Sequence, residues 1–153
     1  MKSVSLICLT ATVTILTGCN KTVPDCPDQS PGPEVRSAGC LVIHNKQLLV
    51  IKEMTGKISI PGGSGDTGET GRCTAFRETW EETGLTVTAG ELIRQFDNGF
   101  HLYRCSVIGD VRPDPEFTHE VREAFWLNSA SFDQYRWRFP EQKQWLKEYL
   151  LSQ

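Results

Sequence analysis

The sequence predicts a single α/β (α+β) domain in which a mixed sheet is covered by helices. Two apolar runs, 39–44 and 47–52, flank a two-residue turn and are typical of a β-hairpin. A helical segment at 70–83 and another at 140–151 are separated by further strand-like runs. Strands, helix, strands and helix in this order are typical of a layered sandwich. The 153 residues have room for one such domain, which we place at residues 37–153.

Local signals justify the remaining elements. Residues 58–60 alternate in polarity and end at Pro61, as a strand does when it enters a turn. Gly84 follows the first predicted helix and is the residue type that most often caps a helix C-terminus. Pro140 stands in the first turn of the last helix, where a missing N–H costs nothing. Further strands are predicted at 85–88, 91–96, 100–107 and 121–127.

Composition and charge exclude several classes of protein. Hydrophobic residues make up 39% of the chain and charged residues 23%, which is typical of a globular domain rather than of a disordered chain or a coiled coil. The formal net charge is −3, and no block of Lys and Arg stands out. We therefore expect no nucleic-acid partner that is bound by phosphate neutralisation.

The first residues are predicted to be an export signal. An apolar run at 4–16 follows Lys2, and it is shorter than the roughly 20 residues that span a bilayer. Leu16-Thr17-Gly18-Cys19 resembles the bacterial lipobox, in which cleavage precedes a cysteine that receives lipid. The resemblance implies a signal peptide at 1–18, a lipid anchor on Cys19 and a location outside the cytoplasm, on the outer membrane if the cell is Gram-negative. An ordinary secretory signal, or an uncleaved anchor with Cys19 incidental, is the alternative.

A proline-rich segment follows at 20–36, and it is predicted to be an extended tether or a flexible linker of undefined length. With Cys8 removed in the signal and Cys19 carrying lipid, four cysteines remain, and outside the cytoplasm they can oxidise in three pairings. The alternative is that some are small buried apolar side chains, and the apolar strand around Cys105 favours that interpretation for this residue. The four are Cys26, Cys40, Cys73 and Cys105.

Acidic residues crowd the first predicted helix. Glu78, Glu81 and Glu82 stand at i, i+3 and i+4, so they share one face and repel one another. Glu69, in the loop before the helix, adds a fourth carboxylate, and Arg77 offsets only one unit of charge. A lone Glu here would be an ordinary solvated residue, but the cluster favours a site for divalent cations. Carboxylate oxygens suit Mg²⁺ or Mn²⁺.

These residues resemble the Nudix box, G-x5-E-x7-R-E-U-x-E-E-x-G-U, in which U is a bulky aliphatic residue. Thr79 departs from the pattern at the first U, where its methyl can pack and its hydroxyl can bond back into the helix. The resemblance implies the Nudix α/β/α sandwich over roughly residues 38–151 and hydrolysis of a diphosphate linkage, commonly in a nucleoside diphosphate joined to another group. The matching residues are Gly63, Glu69, Arg77, Glu78, Glu81, Glu82, Gly84 and Leu85.

The resemblance also implies roles for individual residues. Arg77 would orient a carboxylate by a salt bridge, and the general base would be either Glu78 or a residue of a later loop, of which Glu120 is the first candidate. Glu116 and Glu123 follow Glu120, and His119 is a weaker candidate. The metal ligands would be Gly63, Glu69, Glu78, Glu81 and Glu82.

The substrate stays open at this point. Nucleotide sugars, dinucleotides and lipid-linked diphosphates are compatible with a site outside the cytoplasm, and a module that binds a diphosphate without cleaving it is the alternative to an enzyme. A purely structural envelope lipoprotein is a third possibility. Several aromatic residues could stack on a base or a lipid, although core packing is the commoner fate of each. They are Phe96, Phe100, Tyr103, Phe117 and Trp137.

Overall fold

A computed structural model describes residues 22–28, 30–115 and 120–153 of the chain. The predicted signal peptide, Cys19, Glu116, Phe117 and His119 lie outside this part. Among the described residues, no helix is both long and apolar enough to cross a membrane. The elements are β1 Ser37–His44, β2 Gln47–Glu53, β3 Ile58–Ser59, β4 Gly62–Ser64, α1 Gly71–Thr83, β5 Val87–Gln95, β6 Phe100–Val107, β7 Val121–Asn128, a 3₁₀ helix Ser129–Gln134 and α2 Pro140–Leu151.

The sheet is mixed, as predicted. β1 runs parallel to β6, and β5 runs antiparallel to β6 on the far side. β1 and β2 form the predicted hairpin, whose turn residues Asn45 and Lys46 have φ angles of 48° and 60°, as a tight hairpin turn requires. Beyond that turn the two strands take different partners: β1 pairs with β4, whereas β2 pairs with β3 and β7. The splayed hairpin leaves an opening beside β4.

The two faces of the sheet carry separate apolar cores. Along β1, Ala38, Cys40 and Val42 pack with α1, whereas Leu41 points to the opposite face and packs with α2. Side chains alternate in this way because successive residues of a strand point to opposite faces. The apolar face predicted for α2 is confirmed by Leu146, which is 1% exposed. The fold is therefore a sandwich with α1 on one face and α2 on the other.

The strand predictions were wrong at two places. Residues 85–88 and 91–96 form one strand, β5, because its ladder with β6 continues past Gly90 through shifts of register. The glycines of Gly62–Ser64 predict a turn, but this segment forms β4 and pairs with β1. Its strand character comes from a partner distant in the chain, which no local pattern reveals.

Two disulfides join the four remaining cysteines, Cys26 to Cys73 and Cys40 to Cys105. The interpretation of Cys105 as an unpaired buried thiol is therefore wrong. Cys40 and Cys105 lie on neighbouring parallel strands and on the same face, with 5.4 Å between their Cα atoms. That spacing is within the range that a disulfide spans.

The prediction of a free tether is wrong for its second half. Residues 30–36, here called the strap, follow Cys26 and Asp28, which are held to α1 by the disulfide and by an ion pair of 3.0 Å with Arg72. The strap then lies along the loop before α1, because Gly71 N–H donates to the Pro33 carbonyl at 3.2 Å and Gly65 N–H donates to the Arg36 carbonyl at 3.1 Å. The proline-rich composition gave no sign of these contacts with a distant part of the chain.

Candidate active site

Helix α1 is fixed at both ends, and this sets the direction of its acidic face. At the N-terminus, the Thr70 side chain accepts a hydrogen bond from the Cys73 N–H. At the C-terminus, Gly84 has a φ of 70°, and its N–H donates to the Trp80 carbonyl at 2.7 Å. A Cβ at Gly84 would lie 2.1 Å from the Asp114 carbonyl oxygen, so a larger residue would also push the next loop away.

The departure from the Nudix pattern at Thr79 is absorbed within the helix. Its hydroxyl donates to the Ala75 carbonyl at 2.7 Å, and the residue is fully buried. The sequence-based expectation for this residue is therefore confirmed. The helix continues unbroken past it to the acidic residues that follow.

Glu82 is the most deeply buried carboxylate of the acidic face, with 9% of the residue exposed. Its Oε2 accepts a hydrogen bond from the Gly62 N–H at 2.8 Å. Burial raises the pKa of Glu82 well above its usual range; the Gly62 hydrogen bond opposes this, and the charges of Glu78, Glu120 and Glu53 add to it. The surroundings of this carboxyl therefore disfavour its negative charge.

Glu78 lies against the glycine turn that precedes the helix. A Cβ at Gly63 would stand 2.4 Å from Glu78 Oε2, so only glycine leaves room for the carboxylate at this position. Burial raises the pKa of Glu78, the neighbouring Arg77 lowers it, and the charges of Glu81 and Glu120 raise it again, with a net upward shift. Two adjacent carboxyl groups of α1, Glu78 and Glu82, are thus held in a place that disfavours negative charge.

Arg77 joins the loop to the helix. Its Nε and Nη2 donate to the two oxygens of Glu69, each at 3.0 Å, and its Nη1 donates to Glu78 at 2.8 Å and to Glu81 at 3.4 Å. Nη2 also donates to the Ser64 carbonyl at 2.7 Å. Hydrogen bonds to Glu69 raise the pKa of Arg77, against the effect of burial, and the charge of Glu78 raises it further. The guanidinium therefore orients carboxylates on both sides of the turn.

Glu69 is placed differently from the other acidic residues of the pattern. Burial raises its pKa, but hydrogen bonds from Arg77, the Asp66 N–H and the Thr74 hydroxyl outweigh burial and leave the pKa lowered. Both oxygens are occupied by these donors. The structure brings Glu69 to Arg77 rather than to the opening where Glu78 and Glu82 meet.

That opening is a cleft of about 370 Å³ beside the splayed β1–β2 hairpin. Glu78, Glu82, Gly62 and Gly63 line it, together with Glu120, an exposed residue just before β7. Further residues that line it come from distant elements, and the sequence did not indicate them as part of the site. Those residues are Ser37, Ser59, Asn98, Arg138, Phe139 and Gln142.

The donor set fits a divalent cation by its chemistry. Glu78 and Glu82 offer hard oxygen atoms, and burial raises the pKa of both carboxyl groups, an effect that Arg77 offsets only in part at Glu78. Within the described part of the chain, no three His, Cys, Asp or Glu side chains are already gathered closely enough to hold an ion. Glu81 lies on the same helical face and contacts Arg77, so its carboxylate is directed toward the guanidinium.

The candidates for a general base that lie outside α1 differ in whether they line the cleft. The Glu123 carboxylate lies 3.9 Å from Lys52 on the β2–β7 pair, and Glu123 is not among the residues that line the cleft. Glu120 lines it. Glu116 and His119 lie outside the described residues.

The aromatic residues that could stack on a substrate also differ in position: some lie in the cores and others line the cleft. Phe96, Tyr103 and Trp137 are buried in the two cores, and Phe100 lines the cleft. Phe139 also lines the cleft, and the sequence did not indicate it. It precedes α2, so its place in the cleft depends on how α2 packs across the sheet.

Comparison with known proteins agrees with this geometry. The family model of the NUDIX domain matches residues 33–149. A MutT-like protein of Streptomyces ambofaciens is 32% identical over 94 residues, which cover 56% of this chain and 61% of that protein, so the chain spans about three fifths of the curated relative.

Solved structures share the fold at low sequence identity. An ADP-ribose pyrophosphatase of Streptococcus suis aligns with a TM-score of 0.63 and 18% identity, covering 74% of this chain and 89% of that one. A NUDIX hydrolase from Nitrosomonas europaea aligns with a TM-score of 0.66 and 18% identity, covering 78% and 90%. An Ap4A hydrolase of C. elegans aligns with a TM-score of 0.58 and 18% identity, covering 74% and 94%.

Proposed function

The chain belongs to the Nudix hydrolase family, and we propose that it hydrolyses the diphosphate linkage of a small molecule, with Mg²⁺ or Mn²⁺ as cofactor. The single observation that carries this proposal is that Glu82, which is buried, and Glu78, which is half-buried, line the same cleft. Carboxylates held where negative charge is disfavoured are a costly arrangement, and a divalent cation would balance their charge.

We assign the cation to Glu78, Glu81 and Glu82, with the backbone of Gly63 next to them. Once bound, it would supply positive charge against the diphosphate oxygens and lower the pKa of an attacking water. Arg77 keeps Glu78 and Glu81 in position through its Nη1. Since both oxygens of Glu69 are engaged by other donors, we propose that Glu69 supports Arg77 instead of binding the ion directly.

A general base must take the proton of the attacking water, and two residues stand at suitable places. Glu78 lines the cleft, but its Oε1 accepts a hydrogen bond from Arg77. Glu120 also lines the cleft, and among the described residues its carboxylate has no hydrogen-bond partner. We propose Glu120 as the base. Glu120→Gln should lower kcat while leaving cation binding unchanged, whereas Glu78→Gln should weaken both.

The proposal is tested with the full chain purified in detergent. A panel of nucleotide sugars, dinucleoside polyphosphates and an isoprenoid diphosphate is incubated with Mg²⁺ or Mn²⁺, and released phosphate-containing products are measured. Turnover that disappears with EDTA and with Glu82→Gln is the expected result. Binding of a diphosphate compound in Mg²⁺ with no product from any of them would instead identify a binding module.

We also propose that the protein acts outside the cytoplasm, anchored by lipid on Cys19. The lipobox-like sequence supports this, and so do the two disulfides, which form and persist in oxidising compartments. Cells that express the chain are fed a fatty-acid analogue and fractionated. The expected result is labelled protein in the membrane fraction and unlabelled Cys19→Ser; equal labelling of both would exclude the anchor.

A further inference from the structure

The disulfide between Cys26 and Cys73 attaches the N-terminal segment of the chain to the start of α1. Residues 22–25 are exposed, so among the described residues Cys26 is the first that is fixed to the domain. Asp28 adds an ion pair of 3.0 Å with Arg72, but a pair at so exposed a site contributes little. The covalent bond is therefore the attachment that determines how the domain is held from its N-terminal side.

The length of the chain limits how far this attachment point can lie from a lipid on Cys19. Cys19 and Cys26 are seven residues apart in the sequence. A fully extended chain spans about 3.3–3.6 Å per residue, so their Cα atoms lie at most about 25 Å apart. Without the disulfide, the first backbone hydrogen bond from the strap to the loop before α1 is at Pro33, and the same calculation gives about 50 Å.

The size of the domain converts this limit into an orientation. A compact chain as long as residues 22–153 has a radius of gyration of about 14 Å, which is that of a sphere about 36 Å across. A tether of about 25 Å is shorter than this diameter, so Cys26 cannot lie on the side of the domain that faces away from the bilayer. A tether of about 50 Å exceeds the diameter and permits every orientation.

We propose that the disulfide determines the membrane-facing surface of the protein, and that the face around Cys26 and Cys73 lies toward the lipid bilayer. This orientation rests on the lipid anchor proposed above for Cys19. The surface, here called the staple face, is an open depression between the N-terminal segment and the loop before α1. Its residues include Cys26, Asp28, Ser30, Asp66, Thr67 and Gly68.

The charge of the staple face indicates that the tether, and not affinity for lipid, imposes this position. Asp66 lies in the staple face with 77% of its side chain exposed, and Asp25 is an exposed acidic residue next to Cys26. Anionic headgroups attract basic segments and repel acidic ones. Cys19→Ser, which lacks the acyl chains, should therefore not sediment with vesicles of anionic phospholipid.

The orientation also limits where the protein can act. Glu78 and Glu82 follow Cys73 by five and nine residues on the same helix, which corresponds to rises of about 8 and 14 Å. Together with the tether, this keeps the acidic residues within roughly 45 Å of the anchored cysteine. A substrate that is fixed beyond this distance, in another membrane or in a polymer, is out of reach.

The test uses the full chain, purified from membranes and reconstituted in phosphatidylcholine vesicles that carry an energy acceptor on the headgroups. Mass spectrometry first establishes the acyl group on Cys19. A fluorescent non-canonical amino acid replaces either Thr67 in the staple face or Gln144 on α2; both residues are exposed, and α2 packs on the sheet face opposite α1. We expect energy transfer from position 67 to exceed that from position 144 about twofold or more, because the domain separates the two positions.

Two further variants lengthen the tether in different ways. Cys26→Ser combined with Cys73→Ser releases the N-terminal segment from α1, and an insertion of about ten Gly and Ser residues after Lys21 lengthens the chain with the disulfide intact. Both should reduce the difference in energy transfer between the two positions. The insertion leaves the fold of the domain untouched, so the comparison holds even where the double replacement fails to fold.

Equal transfer from Thr67 and Gln144 in the acylated protein, or stronger transfer from Gln144, would overturn the orientation. A difference that survives the longer tether would reject the limit set by the disulfide, and so would sedimentation of Cys19→Ser with anionic vesicles. Absence of an acyl group on Cys19 would reject the anchor and this orientation with it. None of these measurements needs turnover, so the hydrolase proposal fails or stands separately.

Discussion

The carboxylate of Glu82 accepts a hydrogen bond from the backbone N–H of Gly62 at 2.8 Å, although the two residues are 20 positions apart in the chain. This bond joins α1 to the turn that leads into β4. It places a buried carboxyl in the wall of the cleft that Gly63 and Glu78 also line. The predictions that follow depend on this junction between a helix and a glycine turn.

The first prediction concerns the pH dependence of stability without metal. The folded-state pKa of Glu82 is raised, so its contribution to stability is present below about 4.5, the ordinary pKa, and is lost as pH rises through the folded pKa. Urea unfolding in EDTA should therefore show wild type losing more stability than Glu82→Gln above pH 4.5. Parallel pH profiles would contradict the raised pKa. Added Mg²⁺ should stabilise wild type more at pH 8 than at pH 5.

The second prediction concerns Gly63. A Cβ at this position would stand 2.4 Å from Glu78 Oε2, so Gly63→Ala should displace the carboxylate and lower kcat/KM on the order of 100-fold, with the fold retained. Gly32→Ala is the matched control, because its Cβ would meet Thr70 at an ordinary 3.6 Å. Turnover and circular dichroism measure the two effects. Full activity in Gly63→Ala would remove Glu78 from the site.

The third prediction concerns Arg77. A lysine keeps the charge but cannot bond Glu69, Glu78 and Glu81 at once, because its ammonium lacks the planar, forked arrangement of donors. Arg77→Lys should lower kcat about 10- to 100-fold and raise the cation concentration required for half-maximal rate. Arg112→Lys, at an exposed pair with Asp110, should change neither quantity. A variant with normal cation dependence would show that Arg77 does not position the carboxylates.

The fourth prediction concerns the disulfide between Cys26 and Cys73. Replacing both residues by serine should lower the free energy of unfolding by about 2–4 kcal/mol. Hydrogen exchange should speed up at the Gly65 and Gly71 N–H groups, which donate to the strap. Strap protection that survives the double replacement would show that the backbone hydrogen bonds hold the strap without the covalent link.

Local signals predicted much of the fold. The bounds of both helices followed from caps and spacing: Gly84 ends α1, and Pro140 begins α2, as expected. The alternating apolar runs predicted the β1–β2 hairpin, because a two-residue turn and its strands are contiguous in sequence. The acidic residues of the site could be predicted equally well, because helical geometry alone brings Glu78 and Glu82 to one face.

Long-range contacts explain what the sequence did not reveal. Cys26 and Cys73 are 47 residues apart, and nothing in their spacing indicates that the strap returns to α1. Gln142 reaches the cleft only because α2 packs on the sheet opposite α1. The sequence predicts Glu69 as a metal ligand, and the fold adds that both of its oxygens accept hydrogen bonds from Arg77. In each case, tertiary packing determines which residues come into contact.

The most direct test of the central claim is the fate of the water oxygen. The full chain is incubated in H₂¹⁸O with Mg²⁺ and a diphosphate compound that the panel identifies as a substrate, and the products are examined by ³¹P NMR and mass spectrometry. Attack of water on phosphorus predicts one ¹⁸O in a phosphate group of one product, and none in samples with EDTA or with Glu82→Gln. Product that carries ¹⁸O on carbon, or label that appears equally with Glu82→Gln, would contradict the account.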